Sequence, residues 1–136
     1  MLPDETGLRP LISDNANSLG IRPGKDLPVS DDDQVKPCTG GMSVSPTIRA
    51  LPFHRIPKRM REEYPRAEGN SRLICWKYDD VDWLEGPLTV ELSLRLDKPF
   101  HGMIEPCDTM TLETYRNALS NTRNHWIAVS WSERVV

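Results

Sequence analysis

Three short groups of residues carry atoms that could do chemistry. Ser43 follows Gly40-Gly41 and Met42, so a hydroxyl stands beside backbone with no side chains to shield it. Exposed amides with one hydroxyl suit an anionic or ribose-bearing ligand, and a tight structural turn uses the same residues. His54-Arg55 lies between Pro52 and Pro57. A rigid loop carrying an imidazole and a guanidinium suits phosphate or carboxylate recognition, against the plainer reading of a solvated surface pair. His101 sits beside Gly102, where a ligand or another backbone can approach closely. Glu105, just before Pro106, is a carboxylate able to stabilise positive charge developing on a sugar carbon. A histidine satisfied by the fold and a carboxylate that merely ends a strand are the structural readings of the same two residues.

Other chemistries find less support. Ser43 lacks the G-x-S-x-G frame of a hydrolase elbow, and no Asp or His is placed beside it in sequence. The histidines, at 54, 101 and 125, and the cysteines, at 38, 75 and 107, are too dispersed to form a metal-ligand pattern, so no metal site is expected. Cys107 and His125 form a nucleophile–base pair only if the fold happens to join them. Trp76, Trp83, Trp126 and Trp131 could stack on a nicotinamide or adenine ring, or could simply be core.

The elements that must position these residues are legible in the second half. Leu73 to Tyr78 is rich in apolar and aromatic residues and reads as a strand ended by Asp79-Asp80. Leu88, Val90, Leu92, Leu94 and Leu96 alternate with polar residues, which predicts a strand with one leucine-rich face. Phe100 to Glu105 is its expected antiparallel neighbour, joined through Asp97-Lys98-Pro99. Thr111 is an expected N-cap for a helix over about 112–122, with Glu113 in the first turn and Leu112, Tyr115, Leu119 and Thr122 on one stripe. Trp126 to Trp131 is expected to close the body as a final strand.

The first half is different. Nine of the twelve prolines precede residue 66, and residues 1–34 carry seven acidic groups against three basic ones. That composition predicts a loosely ordered, acidic, proline-rich arm over 1–34, with a short edge strand at Leu19 to Val29 as the exception. Residues 48–72 carry seven Lys and Arg against three Glu; this basic segment could pair with the arm or meet phosphate or an acidic partner. Prolines at 46, 52 and 57 exclude a helix there, and one helical turn is expected over Lys58 to Glu63.

At 136 residues and a formal charge of −3, the chain fits one domain over 35–136 beyond the arm, with no wholesale nucleic-acid binding. An odd cysteine count without short spacings points to a reducing compartment. No signal-like or membrane-length apolar run occurs, so a soluble, cytoplasmic protein is expected, with any export needing no cleaved signal.

Two blocks together resemble a known family. Thr39-Gly40-Gly41-Met42-Ser43-Val44 resembles the T-G-G-T-S-V block of a small cytoplasmic toxin delivered by bacterial type VI secretion, whose fold resembles NAD-dependent ADP-ribosyltransferases. His101, Ile104, Pro106, Met110 and Glu113 follow that family's H-x-x-I-x-P-x-x-x-M-x-x-E block, and Trp126 falls where a tryptophan closes its terminal helix. Met42 stands where the family has threonine, and Ile21-Arg22 is the nearest counterpart of the aromatic-arginine dipeptide that opens such domains.

The resemblance implies a toxin acting on NAD and held harmless by a cognate immunity protein or antitoxin. The favoured expectation puts NAD in a cleft formed by the glycine turn, the 53–55 loop and the 100–105 strand, with contacts from Thr39, Gly40, Gly41, His54 and Arg55, ribose positioning by Ser43 and His101, and electrostatic stabilisation of an oxocarbenium-like transition state by Glu105. The expected fold is a single small α+β domain with a twisted antiparallel or mixed sheet and one clear helix in the C-terminal half. The rival expectation is a non-enzymatic interaction module that docks a partner through residues 48–72.

Overall fold

Alternating apolar and polar residues at 92–96 need a partner strand on each side to satisfy their backbone, and that requirement sets the centre of the fold. In the computed structural model, which describes residues 1–13, 18–79 and 81–129, the described residues form eight strands and one α-helix. In chain order these are β1 (Gln34–Val35), β2 (Met42–Val44), β3 (Trp76–Tyr78), β4 (Gly86–Pro87), β5 (Leu92–Lys98), β6 (His101–Pro106), β7 (Met110–Thr111), α1 (Leu112–Asn121) and β8 (Trp126–Ala128). The main sheet is antiparallel in the order β2-β6-β5-β4, and two-stranded pairs β1-β7 and β3-β8 flank it. The fold is α+β, as the pattern of elements predicts.

The β5–β6 hairpin forms where expected, but β5 starts at Leu92 rather than Leu88. Thr89 Oγ1 accepts the backbone N–H of Leu92 at 3.1 Å, and the chain turns there. Val90, assigned by alternation to the apolar face, is 88% exposed in consequence. Alternation alone does not register that a hydroxyl can close a turn in mid-pattern.

Helix α1 follows its sequence signals closely. Thr111 accepts the Thr114 N–H on its side chain, Glu113 lies in the first turn, and Tyr115, Leu119 and Thr122 are buried. Its apolar stripe packs with Met42, Leu92 and Ile104 of the sheet and with Trp126 to make the main core. A smaller cluster of Ile56, Met60, Ala67 and Cys75 holds the proline-rich middle segment, whose Lys58–Met60 turn is a 3-10 helix.

The arm departs from expectation. Leu19, Ile21 and Leu27 are only 1%, 1% and 2% exposed and belong to the main core. Leu19 and Leu27 sit on isolated bridges, Ile12 with Leu19 and Pro23 with Leu27, instead of an edge strand. Prolines deny this segment a ladder, yet three well-spaced aliphatic side chains suffice to fix it by burial. Of the expected closing strand, Ser130 and Trp131 lie outside the described residues.

Candidate functional site

The glycine pair is needed because two backbones meet there. A Cβ on Gly41, which has φ +157°, would stand 2.5 Å from the Ile104 carbonyl oxygen, and one on Gly40 would overlap the Asp26 carbonyl oxygen. Gly41 donates its N–H to that Asp26 carbonyl at 3.0 Å. The amide expected to face a ligand is therefore bonded within the fold. Thr39 likewise turns its hydroxyl to the Lys36 carbonyl, at 2.7 Å.

What the close approach achieves is register. Met42 pairs with Ile104, Ser43 with Met103 and Val44 with Gly102, so the two sequence blocks run side by side as β2 and β6. Their surface forms one wall of a cleft of about 630 Å³. The 46–55 segment and β3 also line it, with Trp76 and Tyr78 as aromatic members.

Ser43, His54, Arg55 and His101 all line this cleft. Ser43 is exposed, and His101 lies on the same sheet face two residues beyond Ser43's cross-strand partner, a diagonal of about 7–8 Å between Cα atoms. Glu105 shares that face by alternation but sits four residues from His101, roughly 13 Å along the strand. Its carboxylate is 6% exposed overall, accepts the Cys38 N–H at 2.8 Å and pairs with Arg95 Nε at 2.9 Å. Glu105 does not line the cleft. The structure thus brings Ser43, His54, Arg55 and His101 around one space and holds Glu105 beneath the glycine turn.

Two further charged residues line the cleft near the start of β2. Arg22 donates through Nη2 to Asp26 Oδ1 at 2.9 Å, while Asp26 Oδ2 accepts the Arg22 backbone N–H at 2.6 Å. That bond and the carboxylate's charge raise the Arg22 guanidinium above its ordinary value. Arg55 is lowered, first by burial and then by the positive charge of Arg22, with Asp26 acting in the opposite direction. With Asp26 offsetting one of the two guanidiniums, this end of the cleft keeps a net positive charge that favours an anion. The signal in sequence was an Arg and an Asp four apart around Pro23-Gly24, which reads as a turn and gives no hint of its distant neighbour.

The aromatic wall is stiff. Tyr78 stacks on His125 with ring centroids 5.6 Å apart and meets Trp126 edge-on at 5.1 Å, and burial raises its phenol above the ordinary value. Trp76 Nε1 donates to the Met1 carbonyl at 2.9 Å. Trp83 lies against Gly102, where its Cη2 would be 3.0 Å from an added Cβ.

In the basic segment Arg49, Lys58, Arg59, Arg61, Arg66 and Arg72 stay exposed, and several of their guanidiniums also make local contacts. Arg59 donates to the carbonyls of Ser71 and Leu73, Arg61 Nε donates to the Ala67 carbonyl at 2.8 Å, and Arg49 and Arg66 lie over the rings of Tyr64 and Phe53. These contacts order the segment locally and leave its cationic surface exposed. Among the described residues no cluster of three metal-binding side chains occurs, and no helix is long and apolar enough to cross a membrane.

The site so defined is a cleft lined by aromatic and charged side chains in a small α+β domain. Compared with protein-family models, curated proteins and solved structures, the chain matches none.

Proposed function

We propose that the protein is a small toxin resembling NAD-dependent ADP-ribosyltransferases, which binds NAD in the cleft beside β2 and β6. One observation carries the reading: two blocks about sixty residues apart in sequence are paired strand to strand along a single cleft that also holds Arg22 and Arg55. In this reading the guanidiniums take the diphosphate, and Trp76, Tyr78 and Trp83 offer faces to the rings. Ser43 and His101 lie toward the ribose. The NAD substrate supplies its own reactive bond, so the cleft's task is to orient it and to stabilise the charge that grows on the ribose carbon as nicotinamide leaves.

Glu105 has a supporting part in this proposal. Its charge is balanced by Arg95, and its acceptance of the Cys38 N–H holds the turn from which β2 departs. A cognate immunity protein or antitoxin would act by covering the cleft mouth. The alternative of an interaction module working through residues 48–72 rests on the exposure of Arg49, Lys58, Arg59 and Arg61, although Arg59 and Arg61 also hold carbonyls of their own segment.

The test is binding followed by growth. At NAD concentrations of about 100 times Kd, a ligand specific for the folded state adds roughly 2.7 kcal/mol and raises Tm by the order of 10 °C in a domain of this size. Inducible expression in a naive bacterial host should arrest growth, and co-expression of the neighbouring reading frame should relieve it. Innocuous expression together with an unmoved Tm would remove the enzyme reading.

A further inference from the structure

The β5–β6 hairpin is irregular at one point. Pairing is regular up to Leu96 opposite Gly102, then shifts so that Lys98 faces His101 and Asp97 is the extra residue. A bulge costs a ladder bond and re-aims a side chain, and such irregularities gather beside functional sites. Here the re-aimed side chain is a carboxylate: Asp97 Oδ1 lies 2.6 Å from His101 Nδ1. The side chains are 33% exposed for His101 and 29% for Asp97, so the pair is partly shielded from water. The hydrogen bond to His101 is also the first cause of the lowered Asp97 value, with Lys98 a smaller contributor, and the Asp97 charge in turn bears on Arg95.

A carboxylate at Nδ1 fixes the tautomer of a neutral imidazole. The proton stays on Nδ1, and Nε2 keeps its lone pair as the nitrogen available to the cleft that His101 lines. A base oriented by a third group in this way is the arrangement that activates a weak nucleophile. We infer that His101, positioned by Asp97, is the general base for the acceptor in the cleft, a role that rests on the NAD reading above and assigns its missing proton transfer. The carbon–nitrogen bond between ribose and nicotinamide breaks, and its electron pair leaves on nicotinamide. The oxygen of water bonds to the ribose carbon, and its proton passes to His101 Nε2 and then to solvent. Products are nicotinamide, ADP-ribose and one proton; a hydroxyl acceptor in place of water gives transfer by the same route. His101 is thereby the catalytic residue and Asp97 a positioning residue.

Two measurements on the full chain test this. Long-range 1H–15N correlation spectra of the histidine rings, assigned with His101→Gln, should show His101 as the Nδ1–H neutral tautomer in the wild type and a shift toward Nε2–H in Asp97→Ala. Nicotinamide release from NAD should fall about 10²- to 10⁴-fold in kcat for His101→Gln. Asp97→Asn should also lower kcat with KM nearly unchanged, and Asp97→Glu should recover part of the loss. An Nε2–H tautomer in the wild type, or an Asp97→Asn variant with full kcat, overturns the base role while leaving NAD binding intact. Wild-type protein that neither binds NAD nor releases nicotinamide overturns both.

Discussion

Tyr115 donates its phenol hydrogen to the Ile104 carbonyl at 2.6 Å, tying the middle of α1 to the middle of β6. That carbonyl is also the atom against which Gly41 closes, so helix, sheet and glycine turn meet at one oxygen. Burial pushes the Tyr115 phenol well above its ordinary value of 10.0.

The first prediction follows from that shift. The folded state holds a proton that the unfolded chain would release, so the stabilisation is complete below pH 10.0 and declines as pH rises through the folded-state value. Urea midpoints should fall above pH 10 in the wild type. Tyr115→Phe should be less stable at neutral pH by about 1–2 kcal/mol and should lose part of the alkaline slope, the remainder coming from residues such as Tyr78.

A second prediction concerns the glycine turn. Gly41→Ala puts a methyl 2.5 Å from the Ile104 oxygen at φ +157°, so the turn must shift. The cost should be roughly 2–4 kcal/mol in urea unfolding. Gly24→Ala, where an added Cβ meets nothing within 4 Å but φ is +79°, should cost only the backbone part. Equal losses at the two positions would contradict the close approach.

Glu105 and Arg95 supply a third. Arg95→Ala removes the guanidinium partner of Glu105, a residue 6% exposed that also accepts the Cys38 N–H, and should destabilise by about 1–3 kcal/mol. Glu105→Ala should lose stability as well as any toxicity. A Glu105→Ala variant with wild-type Tm and no toxicity would instead make Glu105 a directly acting group, against the supporting role proposed here.

The cleft and the basic segment are separated by a fourth experiment. Arg55→Ala should weaken NAD binding roughly tenfold, the order of one charge-assisted contact, with the fold retained. Arg59→Glu should lower stability instead, because two carbonyls, of Ser71 and Leu73, lose their donor. Thermal melts with and without NAD distinguish the two outcomes. Should Arg59→Glu fold normally and lose only binding to a partner protein, the interaction-module reading gains the ground.

Local pattern was enough to find α1, from its Thr111 cap to Thr122, and the β5–β6 hairpin, because capping and alternation act between residues a few positions apart. The sequence also singled out Ser43, His54, Arg55 and His101, which the fold gathers around one cleft. It overextended β5 to Leu88, since a turn closed by the Thr89 hydroxyl leaves no mark on the hydrophobic period. It reads Leu19 to Val29 as an edge strand in a loose arm, whereas Leu19, Ile21 and Leu27 are fixed by burial against surfaces contributed by chain far away.

The chemistry was the least legible part. The reach of Glu105 to the Cys38 amide spans 67 residues and the proximity of Arg22 to Arg55 spans the whole of β2 and the proline-rich segment, distances over which side-chain type carries no geometric information. Asp97 looked like a turn residue, and only the slipped register of the hairpin turned it toward His101. Residue types and short-range spacing determined which elements form; long-range strand pairing, with the entropy of closing large loops set against buried apolar surface, decided which side chains meet.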